Sequence, residues 1–465
     1  MLVMKFGGTS VGSAECMAAV AEIIGQVRGQ HPRLVVVVSA MSGVTDQLIS
    51  AARQAAEGRV EECEAIQASL LAWHMGVCHS LLVDADQRCR MGTCITERMA
   101  ELEWFCQSVA VRGEVTVRGL DMVSAIGEKL SAAILSALLQ TRGMPAEYMD
   151  ASRVLVTDDH FGGANPLLAE TKARLEEHLR PLVERGVVPI VTGYIGATAR
   201  GVPTTLGRGG GDYSAAIIGA CMEANEVCIW SDVDGILTAD PNVVPEARTL
   251  EELSYVEAAE LAYFGAEVLH PKTIKPVEER SIPLRIRNTF NPCHPGTLIV
   301  KEPSAGRSPT RAIISTRGLS LLSVRGSEDA WTPQVAARVL RCLGRAGVEV
   351  LMFTQSFSER NLTLLVWQRE LSSGLRLLRG EFADELARGL IAPPEVRQKV
   401  ATVSVVGGPS KDGQGVVPQT FAALGRQRTP VIAIAQASSE YNVSFVVPED
   451  EMADTVQALH GELMG

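Results

Sequence analysis

Met1-Leu2-Val3-Met4-Lys5-Phe6-Gly7-Gly8-Thr9-Ser10-Val11-Gly12 decides how the rest of this 465-residue chain is read. Leu2 to Phe6 is an apolar run with Lys5 set among apolar neighbours, and it reads as a short buried strand. Gly7 and Gly8 follow at once, then Thr9 and Ser10, and a helix is expected from about Ala14 to Val27. A strand that runs into glycines and opens a helix aims backbone N–H groups at one spot. The helix terminus adds partial positive charge there, so the spot favours phosphate. Lys5 brings a full charge within reach of the same oxygens. The competing reading of these residues is a buried strand, an ordinary turn and a solvated lysine. Because the lysine precedes the glycines, this is not a Walker loop.

Composition narrows the rest. With 43 basic against 54 acidic residues, neither nucleic acid nor a membrane surface is an expected partner, although a local basic site survives the balance. The 10 cysteines include no C-x-x-C pair, a poor spacing for zinc and one that fits reduced thiols in the cytoplasm, so no metal-ligating residues are assigned. The chain enters its first strand at once, so no signal peptide is expected, and no apolar run is expected to reach the roughly 18 residues of a membrane span. Length predicts roughly three domains.

Downstream, Arg33 to Ala40 contains a run of valines bounded by small residues, the pattern of a parallel strand buried on both faces. It ends at Ser39, and Thr45 opens the next helix. Ligands of open α/β sheets sit at the carboxyl ends of strands, so Lys5 and Ser39 are expected on one rim. Residues 47 to about 112 read as helices. His74 and His79 lie there at a spacing that does not suit two ligands on one helix face, and both read as structural or exposed. Glu128 stands near the expected start of an apolar helix running to Leu139. It is either an acceptor for a substrate ammonium or a first-turn carboxylate complementing the helix dipole; Glu114 is a decoy of the same kind.

Val187 to Tyr194 is another buried strand. After it, Thr204-Thr205-Leu206-Gly207-Arg208-Gly209-Gly210-Gly211-Asp212-Tyr213-Ser214-Ala215 opens a helix to about Cys221. Arg208 offers a bidentate fork to a carboxylate or phosphate, and its flanking glycines are hard to explain as plain scaffold. Asp212 is either a cap or a partner that orients Lys5. The strand from Glu226 to Ile229 ends at Trp230-Ser231-Asp232-Val233-Asp234-Gly235, where the aspartates could serve a metal, a ribose or simply a tight turn. A helix is expected from Tyr255 to Phe264, and the Pro-rich residues 291–311 read as a linker closing the first domain.

Beyond that linker the chain repeats itself. Leu322-Ser323-Val324-Arg325-Gly326 matches Val403-Ser404-Val405-Val406-Gly407, and Gly344-Arg345 matches Gly425-Arg426. Gln355, Ser358, Glu359 and Asn361 match Gln436, Ser439, Glu440 and Asn442 at the same interval. Each copy reads strand, helix, strand, Gln-x-x-Ser-Glu, strand. Two such α+β units can pair their sheets or helices and leave small-ligand pockets at the seam, or can serve oligomerisation alone.

Taken in order, Lys5-Phe-Gly-Gly-Thr-Ser-Val, Ser39-Ala40, Gly127-Glu128, Gly207-Arg-Gly-Gly, Asp212-Tyr213-Ser214-Ala215, Trp230 to Gly235 and Leu269-His-Pro resemble the aspartokinases over essentially the whole chain. The resemblance implies an α/β amino-acid kinase fold, an open, mostly parallel sheet flanked by helices, over 1–292. It implies a linker over 293–312 and two α+β ACT domains over 313–392 and 393–465. No homoserine dehydrogenase follows, so the chain resembles the monofunctional members. The implied reaction is ATP plus L-aspartate giving 4-phospho-L-aspartate and ADP, with Mg²⁺, the first step toward lysine, threonine and methionine. The resemblance sets Lys5 against the transferring phosphoryl group, with Gly7, Gly8, Thr9 and Ser10 around the phosphates. Arg208 would clamp an aspartate carboxylate, Glu128 take the ammonium, and Ser39 and Thr45 contact the same amino acid. Asp212 would orient Lys5, and Ser231 and Asp232 line the nucleotide site. A non-catalytic amino-acid sensor with a degenerate kinase lobe is the alternative.

Some positions depart from the family pattern. Gly211 stands where serine is common, Leu237 where tyrosine is frequent, Asn242 where arginine is frequent, and Glu267 where a lysine usually precedes Val-Leu-His-Pro. Gly211 removes a hydroxyl beside the substrate, and the loss of two cations and gain of an anion near a polyphosphate predict weaker ATP binding or a changed pose. The regulatory half is similar to the threonine-sensing members. Gln355 and Gln436 match their effector glutamines, and Leu351 stands where lysine-sensing members often carry an aspartate. Feedback by threonine, or a loss of lysine sensing, is expected, in a cytoplasmic homo-oligomer paired through the ACT domains.

Overall fold

The strands of the first part of the chain run, in order, β1 (Leu2–Phe6), β2 (Leu34–Val38), β3 (Ala146–Met149), β4 (Val156–Thr157), β5 (Val188–Thr192), β6 (Ile195–Thr198), β7 (Pro203–Thr205), β8 (Glu226–Ser231), β9 (Glu252–Ser254), β10 (Leu284–Asn288) and β11 (Thr297–Val300). Between them lie α1 (Ala14–Gln30), α2 (Val44–Ala56), α3 (Val60–Leu81), α4 (Ala85–Arg112), α5 (Val117–Thr141), α6 (Leu168–His178), α7 (Arg180–Glu184), α8 (Gly210–Cys221), α9 (Tyr255–Tyr263) and α10 (Pro271–Glu278). This is a computed structural model describing residues 1–263, 269–304, 310–327, 331–356, 358–408, 416–436 and 441–464.

The apolar run of β1 and the valine run of β2 behave as their composition demands: both strands are buried at every position. They form the middle of an eight-stranded sheet of order β3-β5-β2-β1-β8-β10-β11-β9. Strands β3, β5, β2, β1, β8 and β10 pair in parallel, and β11 turns antiparallel on β10. A second small sheet, β4-β6-β7, stands apart from it. Phe6, Met17, Ile24, Val36, Leu48, Leu70 and Leu135 belong to one continuous apolar core. His74 is buried in it with Nδ1 bonded to the Leu70 carbonyl at 2.7 Å, and His79 is exposed.

Three expectations need correcting. The region read as linker contributes β11, whose short β-branched run was outweighed by the prolines around it. The helix carrying Glu128 begins at Val117, so Glu128 lies deep in its interior and the first-turn explanation falls away. One 18-residue window of α5 does reach mean hydropathy 1.5, enough by length and composition to cross a membrane, but 83% of it is buried inside the protein.

The second unit comprises 237–248, 260–266 and 304–465. Its elements are β12 (Thr310–Arg325), β13 (Val350–Ser356), β14 (Asn361–Trp367), β15 (Glu395–Gly407), β16 (Ala433–Gln436) and β17 (Asn442–Pro448), with α11 (Pro333–Arg345), α12 (Leu371–Glu381), α13 (Ala383–Ala387), α14 (Val416–Gln427) and α15 (Met452–Met464). The two repeats fuse into one antiparallel sheet of order β13-β14-β12-β15-β17-β16, joined along β12 and β15. The duplication is visible in the hydrogen bonds. Ser323 and Thr363 share a hydroxyl bond at 2.8 Å across β12 and β14, and Ser404 and Ser444 share the matching one at 2.7 Å across β15 and β17. Residues 237–248 pack into this unit: Ala239, Val243 and Val244 join a core with Val403, Phe445 and Leu459, and Thr238 Oγ1 meets His460 Nε2 at 2.9 Å.

Candidate active site

Parallel register builds the site. Phe6 lies level with Val38 on one side and Trp230 on the other. The next residue of each chain segment, Gly7, Ser39 and Ser231, therefore stands at one rim of the sheet. A cleft of about 640 Å³ opens there, and its walls include Lys5, Gly7, Gly8, Thr9, Ser39, Thr45, Glu128, Arg208, Asp212, Ser231 and Asp232.

Lys5 extends from the central strand and is 8% exposed. Its Nζ lies 2.6 Å from Asp212 Oδ1 on α8. The cap of α8 is Gly209, in a left-handed conformation and without a side-chain capping bond, so Asp212 is not the cap and its carboxylate serves Lys5. Gly211 shows how close the approach is. A Cβ there would stand 2.9 Å from Ser39 Oγ and 3.0 Å from Lys5 Cε, so the tips of both side chains lie over the bare backbone.

Glu128 reaches the same cleft from α5. It is 3% exposed and its Oε2 has no hydrogen-bond partner among the described residues. Burial pushes its carboxyl up to about 7, opposed by a backbone hydrogen bond from Ala40 and by the Lys5 charge. A buried carboxylate oxygen left unpaired is costly unless something arrives to pair with it.

Arg208 is exposed and makes no ion pair or hydrogen bond among the described residues. Gly207 and Gly209 on either side adopt φ of 77° and 71°. A side chain at 209 is also excluded by His270, whose Cβ would lie 2.4 Å from the added carbon. His270, from the Leu-His-Pro segment, caps α10 through its Nδ1 and backs the glycine run. Burial holds its imidazole below the usual histidine range, with Lys272 and Arg208 adding to the effect.

Tyr194 also lines the cleft, and nothing in its local sequence marks it as a site residue. Its φ of 67° is rare for a bulky residue. Burial raises its phenol above the usual tyrosine range, with Thr205 and Ser124 beside it opposing the shift, and its backbone N–H donates to Ser214 Oγ at 2.9 Å.

Other expected residues fall elsewhere. Ser10 does not line the cleft; it is buried, with its hydroxyl 2.7 Å from Thr289 Oγ1. The Gly7 N–H donates to the Trp230 carbonyl at 3.1 Å and is not free for a phosphate. Asp234 accepts from the amides of Asn288 and Asn291 and serves its turn. Leu237 and Asn242 belong to the second unit and do not line the cleft. Glu267, Ser439 and Glu440 lie outside the described residues. Gln355 is the last residue but one of β13 and Gln436 the last of β16, and neither lines a hollow of about 640 Å³ in the second unit, whose walls include Ser323, Glu359 and Arg397.

Among the described residues no three His, Cys, Asp or Glu side chains gather into a cage for a metal. The carboxylates of Asp212 and Asp232 on the cleft fit instead a Mg²⁺ carried in on nucleotide phosphates, which typically takes only one or two protein carboxylates.

Residues 1–288 match the amino acid kinase family, and 322–382 and 403–463 each match an ACT domain. The bifunctional aspartokinase/homoserine dehydrogenase 2 of Arabidopsis thaliana chloroplasts is 34% identical over 98% of this chain, which covers 50% of that protein. The chain thus spans about half the length of several curated relatives it matches. Chloroplastic aspartokinase 2 of the same plant is 32% identical over 98% of this chain and 83% of its own length. Escherichia coli aspartokinase III, solved with aspartate and ADP, superposes with TM-score 0.82 at 28% identity over 100% of both chains. The same enzyme with lysine and aspartate gives 0.81 at 29% identity, again over 100% of both. The chain belongs to the amino acid kinase family, among its aspartokinases, with paired ACT domains behind the kinase fold.

Proposed function

We propose that this chain transfers the γ-phosphoryl group of ATP to the side-chain carboxylate of L-aspartate, giving 4-phospho-L-aspartate and ADP. The observation that carries the proposal is one cleft holding a Lys5–Asp212 ion pair, an unpartnered guanidinium at Arg208 and a buried, unpaired carboxylate oxygen on Glu128. An amino acid with a second carboxylate complements that set: ammonium to Glu128, α-carboxylate to Arg208, with Ser39 and Thr45 beside it. The free carboxylate is already ionised, so no general base is needed. Its oxygen forms the bond to the γ-phosphorus as the bond to the β-phosphate oxygen breaks and ADP leaves; no proton has to move.

The difficulty is charge, since two anions must meet in line. Lys5 offsets the phosphoryl charge, Asp212 keeps its ammonium aimed, and Gly8 and Thr9 let the backbone approach the phosphates. Ser231 and Asp232 face the nucleotide from the end of β8. Bound Mg²⁺ would supply further charge neutralisation on the phosphate oxygens. Hydroxamate trapping of the acyl phosphate with aspartate, ATP and Mg²⁺ tests the reading. Lys5→Ala should lower turnover by about 10²–10³-fold with an unchanged far-UV spectrum. A folded Lys5→Ala protein of full activity overturns it.

The same reading makes the product a precursor of lysine, threonine and methionine in the cytoplasm, with amino-acid feedback through the ACT domains of a homo-oligomer. Threonine is the favoured effector. Leu351 packs against an apolar cluster with Leu319, Met352 and Val446, which supports a pocket without the carboxylate that a lysine ammonium requires. Gln355 and Gln436 are the proposed effector contacts.

A further inference from the structure

We propose that Asp121 is a positioning residue for the Arg208 loop, acting from the same helix that carries Glu128; this rests on the aspartate kinase reading above. Asp121 is 3% exposed. A carboxylate so deeply buried persists only where its oxygens are hydrogen-bonded. Its Oδ2 accepts the Gly162 N–H at 2.9 Å and the Thr205 N–H at 3.3 Å, and its Oδ1 accepts the Thr205 hydroxyl at 2.7 Å. One side chain thus ties together two segments far apart in sequence.

The glycine run rides on the surface so formed. A Cβ at Gly207 would stand 3.3 Å from both the Gly162 carbonyl oxygen and the Gly163 Cα. The Ala164 N–H donates to the Thr205 carbonyl at 2.8 Å, and the Leu206 N–H to the Tyr194 carbonyl at 2.9 Å. Beyond Leu206 the chain passes Gly207, Arg208 and Gly209, and Arg208 has no side-chain partner among the described residues to aim it. Its direction is set by the backbone anchors on either side: α8 downstream, and the Thr205 end held by Asp121 upstream. Asp121 and Glu128 lie about two turns apart on one face of α5. A single rigid helix therefore fixes the spacing between the ammonium acceptor and the guanidinium clamp. The Ser124 hydroxyl donates to the Asp121 carbonyl at 3.3 Å, within the same helix.

A carboxylate is the group this junction needs, because three donors converge on it. An asparagine would bring one acceptor oxygen and turn an N–H₂ toward a donor. Steady-state kinetics of Asp121→Asn, Thr205→Val and Thr205→Ser provide the test. Asp121→Asn should raise the aspartate KM about tenfold or more, while kcat and the ATP KM stay within about threefold. Thr205→Val should raise the aspartate KM less, and Thr205→Ser, which keeps the hydroxyl, should restore it. Equal changes in both KM values, or an unchanged aspartate KM in folded Asp121→Asn, overturn the assignment. If Asp121→Asn does not fold, a Thr205→Val aspartate KM equal to that of Thr205→Ser overturns it. A wild-type chain without aspartate-dependent turnover overturns the functional reading and this assignment with it; an active wild type with either failure above overturns this assignment alone.

Discussion

Glu128 is held where its ionised form is poorly accommodated, and the pH dependence of stability should report it. The unfolded chain titrates this group near 4.5 and the folded chain near 7. Between those values the folded protein keeps a proton that the unfolded chain has released. Its contribution is complete below pH 4.5 and is lost as pH rises through 7. The total is roughly 3 kcal/mol. Glu128→Gln removes that slope, so denaturant titrations should find the variant more stable than wild type at about pH 8. Its aspartate KM should rise at least about tenfold, because the substrate ammonium loses its partner. Equal slopes for the two proteins would contradict this account. At this scale the sequence told more about some residues than others. Lys5 and Arg208 stand in glycine-rich segments whose chemistry is local, so they could be read directly. Asp121 and Tyr194 act through partners distant in sequence, and nothing in their immediate neighbours marks them.

Elements place those residues, and their crossings leave little slack. Helix α5 passes the turn after β2 at Gly127, where an added Cβ would stand 2.6 Å from Ala40 Cβ and 3.1 Å from Val44 Cγ1. Gly127→Ala should gain about 1 kcal/mol of helix propensity and lose about 1–3 kcal/mol to overpacking. The Ala40 Cβ is fixed to backbone and cannot swing aside, so overpacking wins. Urea melts should show a net loss, accompanied by a higher aspartate KM as Glu128 and Ser39 are pushed apart. A variant more stable than wild type would show that the helix can shift without strain. The strands of the central sheet were legible because continuous valine runs admit few other readings. The start of α5 was not: its first turns mix polar and apolar residues, and the strong apolar signal begins only after Glu128. β11 was hidden by its flanking prolines, which punctuate a sequence even where the short run between them pairs into a sheet.

At the scale of the whole molecule, the internal duplication could be read from residue spacing, whereas the merger of both copies into one six-stranded sheet could not. That merger depends on β12 and β15 being long enough to pair with each other, a property of three-dimensional register. Feedback is tested at this level: threonine should inhibit the hydroxamate reaction and lysine should not, and lysine inhibition without a threonine response would reverse the effector assignment. The segment 237–248 carries a practical consequence for dissecting the chain. It is bounded on both sides by sequence of the kinase fold, yet Ala239, Val243 and Val244 are buried against the last third of the chain. No single scission separates the halves cleanly. A fragment stopping after Pro303 would carry a greasy tongue with nothing to cover it, and one starting at Ser304 would lack that tongue and leave the facing wall bare, so each alone should clump.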